Sequence, residues 1–333
     1  GNKLHRSLNK GDDWTTISED LTNGGKKGNV AYGTLTSISE SPFQFGLIYT
    51  GSDDGFVHVT KNGGGSWNRI SNNLPQGLWV SRVIASSHKK ERVYVTLNGY
   101  RFDDFTSYVY MSEDFGVTWK NIGESIPTSA VNVIKEDSEN ENILYLGTDN
   151  GLYISFNKGN SWQSFSKNLP NVAVHDLVIQ PTAKHLIVAT HGRSLYKADV
   201  AALQEMTTGI LTKENHLFSI NSVRKSRNWG SSWSKWRAPN LPKINIPFYV
   251  NADKKITLHI LSDGVKVNSI TVDADKGYNE VMYDVSFSEK GKKAYLKANK
   301  DAKVSKAKNG VYYLVKGKYT VKIAGETSEF EIK

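Results

Sequence analysis

The stretch SEDFGVTW, residues 112–119, decides the fold because the chain repeats its pattern. It spaces a hydroxyl, a carboxylate, a glycine, a second hydroxyl and a tryptophan as S-x-D-x-G-x-T-W. Related octets are SLNKGDDW at 7–14, TKNGGGSW at 60–67 and SFNKGNSW at 155–162. Their tryptophans are 53, 52 and 43 residues apart, so the chain is built from repeats of nearly constant length. We call each octet a box.

The segments before the boxes predict antiparallel strands. LIYTGSDDGFVHVT at 47–60 and ILYLGTDNGLYIS at 143–155 alternate apolar and polar residues around a tight turn. Asp54-Gly55 and Asn150-Gly151 favour two-residue hairpins in which both central residues have positive φ. Each repeat then holds about four short strands, which is one blade of a β-propeller.

We interpret the box as a structural turn between the last two strands of a blade. Its Asp or Asn accepts backbone N–H bonds, its Gly supplies a positive φ, and its Trp packs between neighbouring sheets. Three of the four acid positions hold Asn, which argues against calcium, so no metal site is expected. The structural box residues are Asn9, Gly11, Trp14, Asn62, Gly64, Trp67, Asp114, Gly116, Trp119, Asn157, Gly159 and Trp162.

Composition narrows the function classes. The 333 residues are 38% hydrophobic, which suffices for two or three domains with their own cores. The chain has no cysteine, so disulfides, thiolate metal sites and cysteine nucleophiles are excluded. No apolar run approaches the roughly 18 residues of a membrane span. The net charge is +9, but Lys and Arg are scattered, so we expect a solvated basic surface and no nucleic-acid partner.

The boxes resemble the Asp-boxes, or BNR repeats, of sialidases, xyloglucanases and sortilin-type propellers. The chain is most similar to long bacterial sortilin-like proteins often labelled "glycosyl hydrolase". The segments that carry this resemblance are GTLTSISESP (33–42), GLWVSRVIAS (77–86), YVTLNGYRFDDFTSYVYMSEDFGVTWKNI (94–122), LPNVAVHDLVIQP (169–181) and LIVATHGRSLY (186–196).

The resemblance implies a larger propeller and an extracytoplasmic location. Propellers of this family carry more blades than this chain supplies, so we expect it to be the C-terminal portion of one. The expected partner is then the remaining N-terminal propeller portion, in the same gene or on a separate chain. The resemblance also implies a bacterial protein that is secreted, periplasmic or at the cell surface.

The sequence divides into three predicted regions of an all-β protein. Residues 1–198 are blades of an incomplete propeller, 199–245 a linker with a short helix, and 246–333 a small β-sandwich of FlgD-like or immunoglobulin-like type. The linker contains a Trp/Arg-rich segment. We expect its Trp229, Trp233 and Trp236 to pack on the propeller, although stacking on a nucleic acid is the alternative. The lysine-rich stretch 290–308 is predicted to be a solvated loop.

Candidate site residues come from aligning the predicted innermost strands. Their second positions are the polar residues Ser37, Arg82, Asn132 and Asp176. Glycoside hydrolysis usually needs two carboxylates, and the only pairing available is Asp176 with Asp103 or Asp104 of a long loop. The candidate ligand-binding residues are Arg82, Arg101, Asn132, His175, Asp176, His191 and Arg193.

Three functions are compatible with these features. The first is a non-catalytic binding or scaffold module that recognises protein or glycan through the channel face. The second is a carbohydrate-active enzyme whose site is completed by the missing N-terminal blades. The third is a subunit of an outer-membrane or envelope complex. No cofactor is expected under any of them.

Overall fold

The computed structural model describes residues 1–24, 33–234 and 236–333. The chain forms two compact units, Gly1–Gln204 and Glu205–Lys333. Both are built almost entirely from antiparallel strands. The all-β class predicted from the alternating pattern is therefore confirmed.

The described residues of the first unit form five sheets that follow one another along the chain. We number them as blades 1 to 5. Blade 1 has β1 (His5–Arg6) and β2 (Thr15–Thr16), and blade 2 has β3 (Leu35–Glu40), β4 (Ile48–Ser52), β5 (Val57–Thr60) and β6 (Asn68–Arg69). Blade 3 has β7 (Trp79–Ala85), β8 (Val93–Gly99), β9 (Asp104–Ser112) and β10 (Lys120–Asn121), and blade 4 has β11 (Val131–Glu136), β12 (Leu144–Thr148), β13 (Gly151–Ser155) and β14 (Gln163–Ser164). Blade 5 has β15 (Val174–Gln180), β16 (His185–Thr190) and β17 (Leu195–Asp199), and is followed by the helical turn α1 (Ala201–Gln204).

The three complete blades pair their strands in sequence order, as an up-and-down meander does. Their second strands, β4, β8 and β12, are buried at every residue. A strand covered on both faces no longer needs strict alternation, and each of these strands accordingly begins with two or three consecutive apolar residues. The core of this unit therefore lies between the faces of neighbouring blades.

The boxes form the same turn four times, each between the last two strands of a blade. In blade 3 the Ser112 hydroxyl donates to Asp114 Oδ1 (2.7 Å) and accepts from the backbone N–H of Gly116 (2.8 Å). The N–H of Thr118 donates to the same Asp114 oxygen (2.9 Å). The glycines of the four boxes have φ between +82° and +103°, which side chains with a Cβ resist.

The box tryptophan also connects its blade to the preceding one. The Trp119 indole Nε1–H donates to the carbonyl of Ile70, which follows the last strand of blade 2 (2.8 Å). Trp67 bonds Ile17 (2.8 Å) and Trp162 bonds Ile122 (2.6 Å) in the same way.

The box glycines are packed against the same isoleucines. A Cβ on Gly116 would collide with the side chain of Ile70, and one on Gly159 would lie 2.7 Å from Ile122 Cδ1. Each of these glycines is therefore required twice, for its φ and for the close approach of the preceding blade.

The first box differs from the other three. Trp14 is 65% exposed, and its indole donates to Gly11 of its own turn (3.0 Å). The expectation that every box tryptophan packs between sheets does not hold for Trp14 in the part of the chain that the structure describes.

The tight turns of the propeller differ from their predicted type. Among the described residues, Gly55 and Gly151 have positive φ, but Asp54 and Asn150 do not. The Asp54 carboxylate instead accepts hydrogen bonds from the Ser52 hydroxyl and from the backbone N–H of Asn23. This side-chain bonding fixes the turn without a second left-handed residue.

The second unit places two sheets around one apolar core. Its elements are α2 (Thr208–Leu211), β18 (Asn215–Leu217), β19 (Ile244–Val250), β20 (Lys254–Ser262), β21 (Val265–Ala274), β22 (Gly277–Tyr283), α3 (Glu289–Ala298), β23 (Gly317–Ile323) and β24 (Glu326–Ile332). The sheet orders are β18-β19-β22 and β21-β20-β23-β24. Phe248, Leu258 and Val321 are fully buried members of the shared core. Asp263-Gly264 and Ala324-Gly325 are hairpin turns with both φ values positive.

Part of the predicted linker belongs to this second unit. Strand β18 pairs with β19, and Trp229 is 6% exposed, with its ring 5.8 Å from that of Tyr313. The prediction that Trp229 packs on the propeller is therefore wrong. A strand of three residues is too short to show a periodic pattern in the sequence, and a single buried aromatic residue has no pattern at all.

The lysine-rich stretch begins with a helix rather than a loop. The Ser288 hydroxyl caps α3 by accepting from the N–H of Gly291 (3.0 Å). Tyr295 is buried, and a Cβ on Gly291 would overlap the carbonyl of Val267 in β21. The stretch was predicted as a loop because of its many lysines, but it begins with a short amphipathic helix that packs directly on β21.

We expect Trp119→Phe to lower the free energy of unfolding by about 1–2 kcal/mol, because the Ile70 carbonyl loses its donor. Trp14→Phe is the matched control and should change stability by less than about 0.5 kcal/mol, since Trp14 makes no bond to another blade. Urea denaturation of both variants measures this. Equal effects would contradict the role given to the box tryptophan.

Asp114 should make blade 3 sensitive to acid. The Thr118 hydroxyl donates to its carboxylate and is the main cause that lowers its pKa from 3.8 to about 2. Because the pKa of Asp114 is lower in the folded than in the unfolded state, the ionised carboxylate stabilises the folded state at pH values above about 4. This stabilisation is lost as the pH falls from about 4 to about 2. In Asp114→Asn the amide donates to Thr118, as Asn62 does to Ser66 (3.1 Å). Melting temperatures of Asp114→Asn should fall less between these pH values than those of the wild type, and parallel curves would refute the assignment.

Candidate ligand-binding edge of the propeller unit

The first strand of blades 2 to 5 carries a one-residue bulge near its start. The pairing register shifts between residues 35 and 37, 80 and 82, 131 and 133, and 174 and 176. The bulged residues are Thr36, Ser81, Asn132 and His175. Bulges re-aim side chains, so they decide which residues of this strand face outwards.

The bulges correct the predicted equivalence of Asn132 with Arg82 and Asp176. Asn132 corresponds instead to Ser81 and His175, and Val133 takes the position of Arg82 and Asp176. Asn132 is 6% exposed; it donates to Asp149 (2.8 Å) and accepts from Asn98 (3.0 Å). Its amide is thus engaged inside the blades. A sequence alignment does not show which strand contains the extra residue, which is why the position was assigned one residue off.

Two candidate residues form an ion pair with each other. Arg82 Nη2 in blade 3 lies 2.9 Å from Asp176 Oδ1 in blade 5. The side chains are 32% and 50% exposed, and Asp176 Oδ1 also accepts from the N–H of Leu177 (2.9 Å). The contact connects blades that are not consecutive, and it engages the carboxylate that the glycosidase hypothesis needs.

The other two carboxylates lie where the connection between β8 and β9 ends, Asp103 in the connection and Asp104 as the first residue of β9. Residues Tyr100–Phe102 form a single 3-10 turn, and Asp103 follows with φ +57°. Asp104 accepts from the backbone N–H of Thr106 (3.0 Å), which is the main cause of its lowered pKa, and from the Tyr108 hydroxyl (2.8 Å). A general acid needs a raised pKa, so Asp104 is poorly suited to that role.

The carboxylates of the predicted pairing are engaged by different partners. Asp176 is bound by Arg82, whereas Asp104 is bound by Thr106 and Tyr108 of its own strand.

Exposed aromatic rings surround this loop, a feature that the sequence reasoning missed. Tyr100, Phe102 and Phe105 are 46%, 54% and 46% exposed. The Arg101 guanidinium lies 5.4 Å from the centre of the Trp79 ring, and its Nη1 is 4.0 Å from Asp53 Oδ2. The run YRFDDF, with three aromatic residues in one hairpin loop, was the available signal.

Blade 5 adds two histidines to the same edge. The rings of His175 and His191 are 5.3 Å apart, and both residues are exposed. The N–H of His191 donates to the carbonyl of Ala173 (2.9 Å), which fixes the hairpin that also carries the exposed Arg193. The edge therefore offers a charged part in blade 5 and an aromatic part in blade 3.

The strongest charge cluster of this unit lies elsewhere and is structural. Arg92 in blade 3 contacts Glu136 of blade 4 at 3.3 Å, and their side chains are only 4% and 3% exposed. Tyr94 and Ser86 donate to the same carboxylate, and burial is the main cause that raises the pKa of Tyr94. A buried pair whose hydrogen bonds are satisfied in this way holds blades together and leaves no free group for a ligand.

Across residues 1–24, 33–234 and 236–333, no three His, Cys, Asp or Glu side chains are grouped so that they could hold a metal ion. Within those same ranges, no helix has the length and apolar character needed to cross a membrane.

The architecture and this edge define the first unit as blades of a β-propeller. The family model described as Sortilin-Vps10 (sortilin, neurotensin receptor 3) matches residues 107–213. The resemblance to sortilin-like propellers that the boxes indicated is thereby confirmed over this stretch. No curated protein matches the chain.

Solved structures similar to this chain include three GH74 enzymes. An ancestral GH74 enzyme is 15% identical, with 99% of this chain and 43% of that chain covered and a TM-score of 0.47. The GH74 xyloglucanase from Xanthomonas campestris is 11% identical, with 89% of this chain and 47% of that chain covered and a TM-score of 0.42. The GH74 enzyme from Niastella koreensis is 12% identical, with 98% of this chain and 50% of that chain covered and a TM-score of 0.48. The chain thus spans half or less of the length of these enzymes, and similarity at this level assigns it no reaction.

A double-mutant cycle on Arg82→Ala and Asp176→Ala should give a coupling energy of about 0.5–1 kcal/mol, a modest value because solvent screens this partly exposed pair. The coupling should shrink at high salt. Arg193→Ala combined with Asp176→Ala is the control and should show additive effects. A coupling of zero for the first pair would show that the ion pair does not form in solution.

Proposed function

We propose that the propeller unit is a non-catalytic binding module of a secreted or cell-envelope bacterial protein, and that it recognises a protein partner. The observation that carries the proposal is the engagement of Asp176 by Arg82, because this carboxylate is already bound by a side chain of the propeller unit itself, whereas glycoside hydrolysis requires two carboxylates that act on the substrate. What the edge presents instead is an aromatic loop.

The aromatic loop has the chemistry of a protein-binding site. Tyr100, Phe102 and Phe105 each expose about half of their surface beside Arg101. Aromatic residues and arginine are the residues most enriched among those that dominate interface energies. Such rings release more bound water than an equal number of polar side chains when a partner covers them.

The loop is also braced by contacts within its own blade. The Trp79 and Tyr100 rings meet edge to face at 6.3 Å, and Arg101 lies over Trp79. Asp104 ties the other end of the loop to Tyr108 (2.8 Å). A preorganised loop loses less conformational entropy on binding, which favours affinity.

The location and the completing blades are part of the same proposal. The resemblance to bacterial sortilin-like proteins supports a secreted, periplasmic or cell-surface protein. It also supports a ring completed by further blades, either in an N-terminal portion of the same protein or in another subunit of an envelope complex.

The alternative is a carbohydrate-active enzyme whose second carboxylate comes from those further blades. The half-exposed Asp176 side chain on an innermost strand is the observation in its favour. In that case the aromatic loop would stack on sugar rings, and the ligand would be a glycan.

Binding assays on loop variants separate these functions. Immobilised wild type should retain an envelope protein of the source organism, and Tyr100→Ala/Phe102→Ala should reduce retention by about tenfold or more. Phe45→Ala is the matched control, because Phe45 is 73% exposed in the hairpin between β3 and β4, away from this loop, and it should retain the partner fully.

Two results would contradict the proposal. One is equal retention by the double variant. The other is cleavage of a polysaccharide by the intact protein that disappears in Asp176→Ala with the fold preserved, since that result establishes the enzyme.

A further inference from the structure

The chain's excess positive charge resides entirely in the second unit. Residues 205–333 contain 23 Lys and Arg against 13 Asp and Glu, a net charge of +10. Residues 1–204 contain 19 against 20, a net charge of −1. The basic residues occur in both units, but they outnumber the acidic ones only in the second, and this charge asymmetry points to a polyanionic partner for that unit.

An anchored loop in this unit displays two tryptophans to solvent. Trp229 is buried in the core, and the loop above it is closed by two backbone bonds, from Gly230 to Asn240 and from Asn240 to Ser231, both 2.8 Å long. Trp233 is 94% exposed and Trp236 is 86% exposed. Large apolar side chains presented this openly on a fixed base indicate an interaction site.

Basic residues lie at the base of this loop. A Cβ on Gly230 would lie 3.0 Å from the Cβ of Ala307, so the base of the loop touches the lysine-rich segment 290–308. That segment contains eight lysines and a single aspartate. The exposed basic residues nearest to the loop in sequence or through this contact are Arg227, Arg237, Lys306 and Lys308.

We propose that this aromatic-basic surface, formed by Trp233, Trp236 and the four basic residues just named, docks on an anionic lipid bilayer. The two indole rings enter the boundary between head groups and acyl chains, where tryptophan is favoured for its apolar ring and its N–H group. The arginines and lysines contact lipid phosphates at the level of the head groups. The attachment is peripheral and needs no membrane-spanning segment.

Exposure favours a bilayer over a single-stranded nucleic acid. Proteins that stack successive bases place their aromatic rings along a positively charged groove that follows the nucleic-acid backbone. At 94% and 86% exposure, these two rings protrude from the surface instead. Exposed aromatic residues together with exposed basic ones match the chemistry of a bilayer surface, which is apolar inside and anionic outside.

Vesicle co-sedimentation of the full chain tests this proposal. Wild type should bind phosphatidylcholine vesicles containing phosphatidylglycerol about tenfold more tightly than pure phosphatidylcholine vesicles, and added salt should weaken binding. Trp233→Ala/Trp236→Ala and Lys306→Glu/Lys308→Glu should each lower binding to anionic vesicles about tenfold. Trp14→Phe is the control and should bind as wild type does. Circular dichroism checks that each variant is folded.

Two outcomes overturn the proposal. The first is that wild type binds both kinds of vesicle equally, or that the tryptophan double variant binds anionic vesicles as tightly as wild type does. The second is binding of a single-stranded oligonucleotide that the tryptophan variant loses while no vesicle is bound, since that result assigns the surface to nucleic acid. Both outcomes are independent of the propeller, so they leave its proposed function untouched.

Discussion

The hydrogen bond from a box tryptophan to an isoleucine carbonyl of the preceding blade is the contact on which the propeller unit depends. The outermost strand of each complete blade has only two residues, so strand pairing alone holds it weakly. The box glycine lets the isoleucine approach, and the indole N–H then satisfies its carbonyl. At the other side of the blade, the bulged Thr36 and Ser81 hydroxyls donate to carbonyls of the next blade, Val80 and Val131, both at 2.8 Å. Blades 2 and 3, and blades 3 and 4, are thus bonded to each other at both sides of their sheets.

The sequence predicted the features that repeat and missed those that occur once. Four boxes at a near-constant period are enough to predict blades, because the same physical requirements recur in each. Asn132 was misplaced since a bulge leaves no mark in the pattern. Helix α3 was missed because its lysines outnumber its few core residues, and Trp229 because a single buried ring has no period. The Arg82–Asp176 pair joins residues 94 positions apart, a contact that only the folded blades can bring about.

The two units present different chemistry to their surroundings. The propeller unit is nearly neutral and offers a rigid aromatic loop beside an ion pair whose carboxylate is already occupied. The second unit is strongly basic and offers protruding tryptophans on an anchored loop. This division of surfaces underlies the two proposals, a protein partner for the propeller unit and an anionic bilayer for the second unit.

Hydrogen exchange of the tryptophan indole N–H groups, followed by NMR, tests the central contact most directly. The indoles of Trp67, Trp119 and Trp162 should exchange at least about tenfold more slowly than that of Trp14, because they are bonded between blades and the Trp14 ring is exposed. Exchange of all four at the same rate would show that the boxes are local turns only, and the account of how the blades are joined would be wrong.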